Sequence, residues 1–309
     1  MATSSQHLSA RPFRNEADYG LMRRLVIDVL RRTAPPVYLT AGDLDWSRAV
    51  ADDETLRQTH LWFDGPNLVA FAWPEEDQVE IIIHPDYPAL HETALAWAGE
   101  HYRVVDESGA VEFYASAFSR DRHRLAALAA QGFGPTDMGR VVYGQRIDSR
   151  SEPPVLPSGY TLRHVAGESE SEARAAVQRA AFESEFMTAD RHRRVQSMPT
   201  YRPELDIVIV APDGQLAAFA LVWLDEANRL GVFEPLGVAV AHQRRGLGRA
   251  LMGEGLRRLA SFGATYACVA TGIAHDPARR LYEATGFAAL DYSHLWRSRR
   301  TTDSHSVAG

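Results

Sequence analysis

The chain has 309 residues, 45% of them hydrophobic and 24% charged, which fits a globular protein and excludes a fibrous or disordered one. Its formal net charge of −7 argues against nucleic acid as the main partner. A single cysteine, Cys268, excludes an internal disulfide framework.

Cys268 lies in the apolar run Tyr266-Ala267-Cys268-Val269-Ala270 and reads as a small buried hydrophobe, not a nucleophile. No basic segment followed by an apolar core opens the chain. No apolar stretch nears the roughly 20 residues of a membrane helix. The expectation is a cytoplasmic protein with no membrane partner. The twelve histidines lack metal-ligand spacing, so no metal is expected.

The first half opens with a short strand, Leu8 to Phe13, and a helix over Ala17 to Arg32. Asp64-Gly65 marks a hairpin turn into Leu68-Val69-Ala70-Phe71-Ala72. The strand Val79 to Ile83, a helix, the strand Val111 to Ala117 and a short helix ending at Gly132-Phe133 follow.

Residues 148–159 are rich in Pro, Ser and charge and can neither propagate a helix nor pair fully as a strand. The expected division is 1–148, a linker at 149–159, and 160–309.

The second half repeats the series. The strand from Tyr160 to Val165 leads to a helix over Ser169 to Phe186. A hairpin turns at Asp213-Gly214, and a strand covers Gly231 to Val240. A helix, the strand at Tyr266 to Ala270 and a short helix ending at Gly286-Phe287 complete the series. Agreement of the whole series implies a tandem duplication of one α/β domain with a mixed sheet. The polar tail from Arg297 to Gly309 is expected to fray.

The segment from Gly237 to Met252 carries the chemistry. An apolar strand runs through Val238, Ala239 and Val240 into Gln243-Arg244-Arg245-Gly246-Leu247-Gly248-Arg249, which opens an amphipathic helix. The first-turn N–H groups of a helix lack intrahelical acceptors, and the helix dipole adds positive charge there. Gly246 and Gly248 leave room for a pyrophosphate, and Gln243, Arg244, Arg245 and Arg249 add donors. The spacing differs from the dinucleotide-binding Gly-x-Gly-x-x-Gly and from the P-loop.

This Gln-x-x-Gly-x-Gly resembles the acyl-CoA motif of the GNAT superfamily of N-acetyltransferases. Pro277-Ala278-Arg279-Arg280-Leu281-Tyr282-Glu283-Ala284-Thr285-Gly286-Phe287 resembles a second signature of that family. The resemblance covers most of residues 160–297. It departs at His275, where the family carries asparagine; His275 or Asp276, beside Pro277, would take over in holding the pantetheine arm.

The resemblance implies an acyltransferase that moves an acetyl group from acetyl-CoA to a primary amine by direct attack in a ternary complex. Main chain at Val238, Ala239 and Val240 would hold the pantetheine and donate to the thioester oxygen. Tyr282 would be the general acid and Glu234 the base, with Glu183, Glu185 and Asp225 as rivals. Phe182, Phe186, Met187, Tyr201 and Arg202 would line the acceptor site. The acceptor would be a small molecule or a peptide, and the protein a monomer or homodimer. Two alternatives remain open: an acyl-CoA-binding or regulatory module without turnover, and an enzyme using a different acyl-CoA.

In the first half the motif fails. Pro88, His91 and Thr93 stand where Gln243, Gly246 and Gly248 do, and Leu128 replaces Tyr282. The first domain is expected to keep the architecture without a CoA site.

Overall fold

The computed structural model describes residues 8–51, 53–75, 78–102, 104–105, 111–148 and 152–300. The first half runs β1 (Leu8–Pro12), α1 (Glu16–Thr33), α2 (Ala41–Val50), α3 (Asp53–Gln58), β2 (His60–Asp64), β3 (Asn67–Glu75), β4 (Gln78–Ile83), α4 (Leu90–His101), β5 (Val104–Val105), β6 (Val111–Phe118), α5 (Arg122–Ala130) and β7 (Gly134–Arg146). The second half runs β8 (Thr161–His164), α6 (Ser171–Phe182), α7 (Ala189–Gln196), β9 (Asp206–Val210), β10 (Leu216–Asp225), β11 (Leu230–Val238), α8 (Leu247–Ser261), β12 (Tyr266–Gly272), α9 (Asp276–Ala284) and β13 (Ala288–Arg300). Both Asp-Gly sites are hairpin turns, with Gly65 and Gly214 at positive φ.

The chain forms two compact units. The first holds the described residues up to 39, 53–140 and 291–300; the second holds 40–51 and 141–290. These units are not contiguous in sequence, unlike the division expected at 149–159. Of that expected linker, residues 149–151 lie outside the described residues.

In the first unit the strand order is β1-β2-β3-β4-β6-β13. The last strand pairs with β6 in antiparallel register, from Ser293↔Phe118 to Ser298↔Phe113. This corrects the expectation of a fraying tail for residues 297–300. Trp296 packs against the core around Phe113 and Leu128, and Arg297 lies 3.5 Å from Glu112. Apolar burial and main-chain pairing outweigh the polarity of the segment. Residues 301–309 lie outside the described residues.

β4 and β6 are parallel and pair at Gln78↔Tyr114 and Val79↔Ala115. Both strands continue past these positions. Beyond them stands Arg124, only 2% exposed. Its guanidinium donates to the carbonyl of Ile81 on β4 and to that of Ser116 on β6, the latter at 3.1 Å. The same guanidinium lies over the Tyr38 ring, 3.8 Å from its centroid.

In the second unit the order is β7-β12-β11-β10-β9-β8, with β11 and β12 parallel and β8 to β11 antiparallel. Phe233, Leu247, Leu251, Leu259 and Phe287 form its core. Helix α2 belongs to this unit although it comes from the first half of the sequence. Thr40 and Asp43 close a capping box at its start. A Cβ on Gly42 would lie 2.3 Å from Cβ of Trp223, so only glycine permits this approach. Asp45, fully buried, accepts from the Thr200 backbone N–H at 2.8 Å and from the Thr200 hydroxyl.

Candidate active site

The site grows from β11. Its register against β10 jumps from Ala220↔Leu236 to Val222↔Phe233, which leaves one extra residue on β11 at Glu234-Pro235. That is a bulge, placed where proline cannot donate to a ladder. The parallel ladder between β11 and β12 runs from Leu230↔Tyr266 to Phe233↔Val269. Both strands then continue unpaired with each other, β11 to Val238 and β12 to Gly272. A slot bordered by main chain opens past Phe233.

Along this slot the amides alternate. Ala239 N–H donates to Ala217 O at 2.9 Å, toward β10. Alternation along an antiparallel strand then turns the Val238 N–H the other way, toward the slot. Of the three main-chain positions expected to face a thioester, Ala239 is thus committed to the sheet and Val238 is directed outward. The Val238 carbonyl accepts from Gln243 Nε2 at 3.3 Å. Val240 opens a 3-10 turn and is exposed.

The slot leads to the start of α8. Arg244 and Gly246 both have positive φ, 61° and 80°. A Cβ on Gly246 would meet nothing within 4 Å, so its conformation and not crowding demands glycine. Among the described residues no side chain caps the helix; its first intrahelical bond is Ala250 N–H to Gly246 O at 3.0 Å. The Leu247, Gly248 and Arg249 amides precede that bond and lack an intrahelical acceptor. Gln243, Arg244, Arg245 and Arg249 are exposed around them, whereas Leu247 is buried in the core. A Cβ on Gly248 would lie 3.0 Å from Leu281. The loop is an anion cradle of backbone donors with added positive charge.

Helix α9 borders the other side. His275 is its N-cap, and its Nδ1 accepts from Ala278 N–H at 3.3 Å. Histidine thus replaces the usual capping oxygen, and the neutral ring carries its proton on Nε2. Pro277 stands in the first turn, where its missing N–H is harmless. Tyr282 is buried at 6% exposure, edge-on to Tyr143 with centroids 5.7 Å apart. Burial, reinforced by the Glu234 charge and by Tyr143, pushes its phenol well above the usual tyrosine range. Tyr282 therefore keeps its proton, and Glu234 is near enough for its charge to be felt there.

A pocket of about 250 Å³ lies against the bulge. Phe182, Phe186, Met187 and Trp46 line it together with Glu234 and Pro235; Gln178 and Ser184 add polar atoms. Sequence reasoning missed Trp46. The Thr40/Asp43 capping signal could have located α2, but nothing in its local sequence says that the helix packs beside α7 and β10.

Tyr201 and Arg202, expected at the acceptor site, do not line this pocket. Tyr201 is buried and donates to Asp206 at 3.2 Å. Arg202 pairs with Glu226 at 2.7 Å. The rival bases also stand elsewhere. Glu185 is 97% exposed beside Arg179, Glu183 ends α6 at positive φ, and Asp225 accepts from Asn228 in a turn.

Asp206 accepts from Arg174 Nε at 2.9 Å and pairs with His192 Nε2 at 2.9 Å. His192 Nδ1 meets the Ser171 hydroxyl at 3.0 Å. This has the composition of a Ser-His-Asp triad, yet Ser171 and Asp206 are fully buried and His192 is 2% exposed. It ties α6, α7 and β9 together and reaches no substrate. Arg174 Nη1 also donates to Gln178 Oε1 at 3.0 Å, which fixes a pocket-lining side chain. Burial pushes the Cys268 thiol up to about 12, in keeping with a packed hydrophobe.

No helix of the described residues is long and apolar enough to cross a membrane. Residues 172–287 match the Acetyltransferase (GNAT) family model. The chain is 27% identical over 294 residues to a mycothiol acetyltransferase of Streptomyces scabiei, covering 84% of this chain and 88% of that protein. A GCN5-related N-acetyltransferase from Sphaerobacter thermophilus shares the fold, with a TM-score of 0.66, 20% identity, and 96% and 97% of the two chains covered. A tandem GNAT protein from the clavulanic acid biosynthesis pathway does likewise, with a TM-score of 0.64, 18% identity, and 95% and 98% covered.

Proposed function

We infer, from the membership of this chain in the GNAT acetyltransferase family as a tandem-domain acyltransferase, that its second unit transfers an acetyl group from acetyl-CoA to a primary amine of a small molecule or peptide. The observation that carries this reading is the continuity of one surface. The β11–β12 slot runs from the Glu234 bulge to the uncapped start of α8 at Gly246.

The residues fit acetyl-CoA as a strand-like guest. Gln243, Arg244, Arg245 and Arg249 and the amides of Leu247 and Gly248 hold the pyrophosphate. Gly246 supplies the turn. The Val238 N–H donates to the thioester oxygen, where negative charge develops as the amine attacks. Val240, and His275 through its Nε2–H, face the pantetheine arm, with Pro277 holding the start of α9. The Ala239 amide has no part, because it is spent on Ala217.

Glu234 takes the proton that the ammonium must lose before its nitrogen can attack. The new C–N bond forms as the C–S bond breaks; Tyr282 donates its proton to the leaving sulfur, and the second proton shed by the acylated nitrogen restores the phenol. Holding both partners in one cleft supplies the orientation that makes direct attack effective. The first unit lacks the glycines and the tyrosine, and Arg124 occupies the corresponding strand gap; it acts as a structural copy without a CoA site. The mycothiol acetyltransferase relatives favour a small-molecule acceptor.

A panel of primary amines incubated with acetyl-CoA, read by release of free thiol, tests this reading. At least one amine gives stoichiometric thiol and acetylated product. Glu234→Gln lowers that rate about 100-fold at neutral pH. Acetyl-CoA binding without transfer to any amine would instead favour a binding module.

A further inference from the structure

The pocket beside Glu234 is smaller than the 300–1,000 Å³ usual for a drug-sized ligand. It suits a compact molecule or one end of a longer one. Three of its described lining residues are aromatic: Trp46, Phe182 and Phe186. Phe182 and Phe186 are 48% and 41% exposed and Trp46 is half-buried, so each aromatic side chain is partly accessible. Among the described residues that line it, Glu234 is the one ionisable side chain. Arg191 stacks on the Phe186 ring at 4.4 Å and donates to the Phe186 carbonyl, but it does not line the pocket.

Trp46 is the unexpected member, because it arrives on α2 from the first half of the sequence. The helix cannot drift. Gly42 rests on Trp223, whose indole N–H donates to the Glu234 carbonyl at 2.7 Å, and Asp45 is bonded to Thr200. One connection through Trp223 therefore seats the helix that carries Trp46 and holds the main chain at Glu234.

We propose that Trp46 is a specificity-determining residue, and that the acceptor is a primary amine on an uncharged apolar or aromatic body. The ammonium lies against Glu234 and the body against the indole and phenyl rings. An aromatic face attracts both an ammonium and a flat apolar group, whereas the Glu234 carboxylate repels an anionic acceptor. This inference rests on the transfer reading given above.

The test compares 2-phenylethylamine with taurine as acceptors for the full chain, its Trp46→Ala variant and its Trp46→Phe variant. Acetyl-CoA affinity is measured separately by calorimetry. The expected result is transfer to 2-phenylethylamine and not to taurine. Trp46→Ala raises the amine KM about tenfold, with a smaller change in kcat and unchanged acetyl-CoA affinity, and Trp46→Phe recovers most of the loss. Unchanged amine KM in Trp46→Ala, preference for taurine, or acetyl-CoA binding without transfer to 2-phenylethylamine would overturn the acceptor assignment alone. Failure of the unmodified chain to bind acetyl-CoA would overturn the transfer reading along with it.

Discussion

Nη1 of Arg124 donates to the main-chain carbonyl of Ser116 at 3.1 Å. The opposite arm of the guanidinium donates to Ile81, so one side chain joins β4 and β6 just beyond their last paired residues. The equivalent gap in the second unit, between β11 and β12, is bordered by main chain and leads to an uncapped helix. Two copies of one fold thus treat the same strand divergence differently. Nearby, burial and the Arg124 charge push the His91 ring down to about 4, so it stays neutral where the other copy has Gly246. Replacing Arg124 by Ala strips a donor from two strand carbonyls and a cation from the Tyr38 face. It should cost about 3 kcal/mol, read as a lower urea midpoint.

Asp206 anchors Arg174, which in turn holds the pocket-lining Gln178. Burial pushes its carboxyl up, but Arg174 and His192 outweigh burial and leave it below the usual carboxylate range. Below the ordinary value of 3.8, the unfolded chain therefore binds a proton that the folded chain does not. The stability contributed by Asp206 is present above that pH and is lost as pH falls through the lowered value. Asp206→Asn leaves Arg174 buried without its counter-charge and should cost about 3–5 kcal/mol at neutral pH. Acid titration followed by circular dichroism should show a shallower acid loss in the variant.

Gly42 offers a test of the α2 seat that does not touch the pocket. A Cβ there would meet Cβ of Trp223 at 2.3 Å, which no rotamer relieves. Gly42→Ala should cost about 2 kcal/mol in thermal or urea unfolding. It should also raise the amine KM more than the acetyl-CoA Kd, because the displaced helix carries Trp46.

Tyr282→Phe keeps the ring in its cluster with Tyr143 and removes the donor to the leaving sulfur. It should lower kcat about 100-fold and leave acetyl-CoA affinity unchanged. Because burial raises the phenol above its ordinary value of 10.0, the unmodified chain should show no fall in kcat from Tyr282 ionisation up to about pH 10.

The loop at Gly246 was legible because its demands are local: an apolar strand, a positive-φ glycine and a helix start lie within a dozen residues. The Glu234-Pro235 bulge has a local cause too, since proline cannot join a ladder. The tandem architecture followed from repeated turn and cap signals. Long-range exchange was hidden. The Thr40/Asp43 box announces a helix, but its place beside Trp223 depends on a glycine meeting a side chain 181 residues away. Residues 297–300 read as a polar tail because pairing with β6 and the burial of Trp296 are not local properties. Tyr201 read as an acceptor-site residue; its hydroxyl donates to buried Asp206, a partner that only the fold brings to it.

The measurement that tests the central claim most directly is calorimetric titration of acetyl-CoA into the full chain and into a Gly246→Glu, Gly248→Glu double variant. The account predicts one acetyl-CoA per chain and no binding in the folded variant. Two sites per chain, or unchanged binding in the variant, would contradict it.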